Sequence, residues 1–148
     1  FSEFVITNLE KVDNKTIYKK TINWVKETYK NPDVVFDATI EDESIRFSGV
    51  TNKMIEVWSD FGQLMYYDIK YTIKVYTKDN KYKFEVIDFQ VLDCHWMMNF
   101  RKPINEEIYK SDGSIKKKWR NFPKSIENVF DTLNDSLKSY ITKSSSGW

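Results

Sequence analysis

One thiol and one imidazole stand side by side at Cys94 and His95, with Asp93 next to them, and the chain has no other Cys or His. A carboxylate that orients an imidazole is a start on general acid–base chemistry, so a hydrolase would have to run on Asp93 and His95. The thiol does not join them readily, because neighbours in an extended chain point to opposite faces. A single Cys and a single His also fall short of a structural zinc shell. Carboxylates are plentiful (Asp37, Glu41, Asp42, Glu43, Asp60, Asp68, Asp88, Asp93), but no spacing pairs two of them as acid and base. The run Glu41-Asp42-Glu43 lacks the glycine and the distal glutamate of a calcium loop. With 4 glycines in all, no glycine-rich phosphate loop is present. The reading therefore assigns no catalytic residue, no metal and no cofactor.

Two other features could bind. The run Lys116-Lys117-Lys118-Trp119-Arg120 puts an aromatic inside a basic cluster, which suits phosphates with a stacked base, or an anionic membrane surface. Its bland use is a solvated loop. Aromatic residues make up 16% of the chain, and Trp96-Met97-Met98 with Phe100 forms a soft apolar patch of the kind found at adaptable binding surfaces. Tyr67, Tyr71, Phe84, Trp96, Met97 and Phe130 are the candidate ligand or partner surface. Packing in a core is the competing use of all six.

The elements that must position these groups follow from periodicity. Phe4-Val5-Ile6 centres a first strand. Asp13 and Asn14 offer N-cap oxygens to a helix with the stripe Tyr18, Ile22, Val25 and Tyr29, widened by Ile17 and Trp24. Asn31-Pro32 stops it. Strands follow around Val34–Ile40 and Ile45–Val50, joined by the acidic turn, and Met54–Trp58 either makes another strand or continues past a bulge at Asn52. Tyr66–Thr77 is a long strand with Tyr67, Ile69, Tyr71, Ile73 and Val75 on one face. Lys78-Asp79-Asn80-Lys81 reads as a hairpin turn into Tyr82, Phe84 and Val86. Residues 93–122 read as a long irregular connection with a turn at Asp112-Gly113. A closing helix near Lys124–Lys143 carries a nearly unbroken stripe from Ile126 to Ile141. Strands that alternate on one face, with helices not interleaved, predict an α+β fold: a curved antiparallel sheet with two helices packed on one face, in β-α-β-β-β-β-α order.

The chain has 148 residues, which is one domain's worth and enough to bury a real core. Lys plus Arg number 23 against 22 Asp plus Glu, so net charge is +1, and a dedicated nucleic-acid binder would be more basic. The chain begins at Phe1 rather than Met, which reads as a processed or trimmed form whose signal peptide or lipid anchor would precede it. The opening strand, the helix around Trp24, the strand pair from Val35 to Gly49, the run Tyr67 to Val75 leading into Lys78–Lys83, and the last helix together resemble a bacterial family known as a domain of unknown function with a TBP-like fold. That family often has a glycine where Asn80 stands and an arginine where Lys83 stands. The resemblance implies the fold and an exported, periplasmic or envelope setting, with the cytoplasm left open. It implies no catalytic residues. The expected role is a non-enzymatic binding or interaction domain whose partner is a protein. One alternative is a carrier of a small apolar ligand held between the sheet and the last helix, with Tyr67, Tyr71, Phe84, Trp96 and Phe130 as walls. Another is the Asp93/His95 hydrolase. Nucleic acid is the least favoured partner, and membrane proximity would come through the missing anchor.

Overall fold

The computed structural model describes residues 4–30, 35–95, 100–103 and 105–143, with the backbone alone at 93–95 and 100–103. The elements are β1 (Phe4–Asn8), α1 (Asn14–Thr28), β2 (Phe36–Ile40), β3 (Ser44–Trp58), β4 (Leu64–Lys78), β5 (Lys81–His95), β6 (Phe100–Pro103) and α2 (Phe122–Thr142). Short 3-10 turns lie at Asn105–Glu107 and Lys117–Trp119. The strands form a six-stranded sheet in the order β1-β5-β4-β3-β2, with β6 also paired to β5. The sheet is the expected antiparallel one, flanked by two helices. The long middle strands and α2 each lend residues to two compact units.

The first unit takes residues 2–49, 72–87 and 131–148. Helix α1 starts where Asp13 caps it by accepting from the Thr16 amide at 2.8 Å. Its buried stripe is Ile17, Thr21, Trp24 and Val25, while Tyr18 and Ile22 are half-buried. The stripe is thus turned toward Trp24, because Thr21 satisfies its own hydroxyl on the Ile17 carbonyl at 2.7 Å and can be buried. Trp24 meets Phe47 of β3 edge-on at 5.7 Å, and its indole N–H donates to Ser136 Oγ of α2 at 3.0 Å. Tyr82 of β5 donates to Asn134 Oδ1 of α2 at 2.8 Å. Both helices therefore lie on the face that buries Ile45, Phe47, Ile73, Val75, Tyr82 and Phe84. Gly49 is needed there, since a Cβ would sit 2.5 Å from the Tyr29 ring.

The second unit takes residues 50–71 and 88–130. β3 runs as one strand from Ser44 to Trp58, so Met54–Trp58 continues it, with a left-handed residue at Lys53 (φ 55). That residue is held by Asp68 Oδ1, which accepts from the Lys53 amide at 2.8 Å. A run of rings fills this unit: Tyr67 on Trp119 at 5.6 Å, Trp119 on Phe122 at 6.3 Å, Phe122 on Phe89 at 6.0 Å, Phe89 on Phe130 at 6.4 Å and Phe130 on Tyr71 at 5.9 Å. The stretch 93–122 holds the end of β5, the short β6, the two 3-10 turns and a bridge between Tyr109 and Ile115. Strand edges here are closed by side chains. Asn105 Oδ1 accepts from the Val91 amide at 2.7 Å while its Nδ2 donates to the Phe89 carbonyl at 2.9 Å. The Glu56 amide donates to Ser125 Oγ at 3.3 Å.

Candidate functional site

In the first unit the face turned away from the helices is built from alternate residues. Tyr82 and Phe84 point to the core, so Lys81, Lys83 and Glu85 point away from it. By the same alternation β4 offers Thr72, Lys74, Tyr76 and Lys78, and β1 offers Phe4 and Ile6, which are 47% and 54% exposed. The register Phe4↔Glu85 and Ile6↔Lys83 sets β1's apolar side chains beside β5's charged ones. Lys83 Nζ lies 4.6 Å from the Phe4 ring centre and 5.2 Å from that of Tyr76, and Lys74 Nζ lies 4.6 Å from Tyr76. Glu85 Oε2 is 3.4 Å from Lys83 Nζ. A depression of about 260 Å³ is lined by Ile6, Tyr76, Lys78, Lys81, Tyr82 and Lys83. Its chemistry is cationic heads over apolar and aromatic floors, which fits an anionic group on an apolar carrier.

The turn below this depression is tied down by hydrogen bonds. Asn80 takes the left-handed conformation (φ 62), which makes the two-residue connection from Lys78 to Lys81. Its Oδ1 accepts from the Val12 amide at 3.0 Å, its own N–H donates to the Val12 carbonyl at 2.8 Å, and its carbonyl accepts from the Leu9 amide at 2.7 Å. Asp79 Oδ1 accepts from the Asn14 amide at 2.8 Å. Lys78 and Lys81 are thereby tied to the β1–α1 connection, which holds the cationic rim in place.

The pattern of a domain of unknown function with a TBP-like fold, DUF4468, matches residues 4–91. The chain belongs to the DUF4468 family. The matched span contains every residue of the open face just described. Similar solved structures are a DUF4468 family protein from Bacteroides ovatus and a TBP-like protein from Parabacteroides distasonis. The first is 11% identical with a TM-score of 0.66, over 97% of this chain and 86% of the other. The second is 17% identical with a TM-score of 0.59, over 91% of this chain and 90% of the other. Both likenesses speak for the fold. No curated protein matches.

The residues singled out by sequence land in different places in this DUF4468 domain. Tyr71, Phe84 and Phe130 are 1–2% exposed and serve as core, with Tyr71 and Phe130 in ring contact and the Tyr71 hydroxyl 3.1 Å from Thr51 Oγ1. Tyr67 is half-buried against Trp119. Trp96 and Met97 lie outside the described residues. Asp93, Cys94 and His95 lie in β5, in register with Lys102, Arg101 and Phe100 of β6. In the basic run Lys117, Lys118 and Arg120 are exposed, while Trp119 is fully buried, so the expected stacking aromatic belongs to the core. Trp58 takes its place beside the cations, with the Arg120 guanidinium 4.6 Å over its ring. Among the described residues no group of three or more His, Cys, Asp or Glu gathers to hold a metal. Sequence reasoning placed Phe4 and Ile6 in the first strand and Lys78 and Lys81 in the hairpin turn, but did not join Phe4, Ile6, Tyr76 and Lys78 into a binding face. The missed signal was β1 read in register with β5: Phe4 and Ile6 lie opposite Glu85 and Lys83.

Proposed function

We propose that this domain is a non-enzymatic binding module of an exported or envelope bacterial protein, and that it holds an acidic, extended segment of a protein partner on the open face of β1, β5 and β4. The observation that carries the reading is the Lys74–Tyr76–Lys83–Phe4 cluster beside the depression rimmed by Lys78 and Lys81. Lysines at alternate positions of a strand stand about 6.5–7 Å apart, which matches alternate carboxylates of an extended chain. Ammonium groups already sit over the Tyr76 ring, so it is poorly placed to stack a base, which favours a protein over a nucleic acid. The envelope setting is supported by the family resemblance.

The test uses a labelled peptide alternating Glu with Leu, and its Gln counterpart, followed by fluorescence anisotropy. The acidic peptide is expected to bind, to weaken with salt, and to lose about tenfold or more in affinity for Lys81→Glu/Lys83→Glu, as a screened charge pairing requires. Equal binding of the Gln peptide, or an unaffected double variant, contradicts the proposal.

A further inference from the structure

The second unit carries a feature that its own packing does not use. The β3–β4 hairpin ends in Ser59-Asp60-Phe61-Gly62-Gln63, and Phe61 at its tip is 93% exposed. The tip is closed by three hydrogen bonds. The Ser59 amide donates to the Gln63 carbonyl at 2.7 Å, the Gly62 amide to the Ser59 carbonyl at 3.1 Å, and the Gln63 amide to Ser59 Oγ at 3.0 Å. Gly62 takes φ 77, a conformation that other residues resist. The loop is thus pre-formed around an apolar ring held in water.

Cations stand at the foot of this finger. Arg120 lies over Trp58, the last residue of β3 before the tip, and its Nη1 donates to the Lys117 carbonyl at 2.9 Å. That contact fixes the Lys117–Arg120 turn beside the hairpin, with Lys117, Lys118 and Arg120 exposed. Asp60 is the one acid between Trp58 and Gln63. Met65 and Tyr66, just past the tip on β4, are 37% and 50% exposed. An apolar tip, a Trp and a Tyr at its base, and a collar of exposed cations are the parts that seat a protein on the headgroup layer of an anionic bilayer.

We infer that the Phe61 hairpin and the Lys117–Arg120 turn form a peripheral docking site for an anionic lipid surface. Phe61 enters the headgroup–acyl boundary, and the cations meet lipid phosphates. Charge complementarity selects this occupant. A protein pocket would need the one ring alone, whereas a bilayer uses the ring and the cations together. The site shares no residue with the open sheet face, so the two readings stand or fall separately.

Flotation of the full chain with vesicles of phosphatidylcholine and phosphatidylglycerol (7:3), compared with phosphatidylcholine alone, tests it. The bound fraction is expected to be at least tenfold greater on the anionic vesicles. Phe61→Ser and Lys117→Glu/Lys118→Glu are each expected to cut it about tenfold, with circular dichroism unchanged because all three side chains are exposed. If anionic vesicles fail to capture the protein, the inference is overturned. It also fails if Phe61→Ser binds them like the parent chain, which would reduce the attraction to nonspecific charge.

Discussion

At the scale of single residues the open face depends on backbone conformations that few residues accept. Asn80 at φ 62 shapes the turn between Lys78 and Lys81 and also accepts the Val12 amide. Glycine is the residue that takes this left-handed conformation without strain. Asn80→Ala is expected to be less stable than Asn80→Gly by about 1 kcal/mol, since alanine alone meets the Cβ penalty. Urea unfolding of the two variants measures it, and equal midpoints contradict the turn assignment. Tyr82 is the other telling residue. Burial pushes its phenol up to about 12, with Asp135 adding to the rise and a Thr7 hydrogen bond opposing it. The folded state therefore favours the neutral phenol. Its contribution is complete below the ordinary tyrosine value of ~10 and drains away as pH climbs toward about 12. Urea midpoints measured from pH 9 upward are expected to fall more steeply for the parent than for Tyr82→Phe. Parallel curves would mean that the phenol ionises equally easily in both states.

At the scale of elements, periodic patterns were readable and irregular ones were not. β4 shows why the reading worked: Ile69, Tyr71, Ile73 and Val75 alternate with polar residues, and all four are buried. β5 shows where it stopped. After Val86 the alternation dissolves, with Ile87 exposed and Phe89 and Gln90 both half-buried, yet the strand runs on to His95. It continues partly because β6 pairs with its end and Asn105 fills the edge between Phe89 and Val91. A side chain that stands in for a strand leaves no period in the sequence. Trp119 was legible as an aromatic among cations, but its burial depends on Tyr67 and Phe122, far away in the chain or across a turn. Asn105→Ala strips partners from one amide and one carbonyl and is expected to cost about 1–3 kcal/mol. Faster hydrogen exchange at the Val91 amide would locate the loss there, and unchanged exchange would show that the edge is closed by something else.

At the scale of the whole molecule, net charge misleads. A balance of +1 looks featureless, yet Lys74, Lys78, Lys81 and Lys83 gather on one face with Phe4, Ile6 and Tyr76. That gathering, inside the span shared with the DUF4468 family, is the ground for reading the domain as a binding module. The most direct measurement is a ¹H–¹⁵N correlation spectrum of the protein titrated with the alternating Glu/Leu peptide. Shifts confined to Phe4–Ile6, Lys74–Lys78 and Lys81–Glu85, and abolished by raised salt, are the outcome the binding-face account requires. Shifts centred elsewhere, or none at peptide excess, would contradict it.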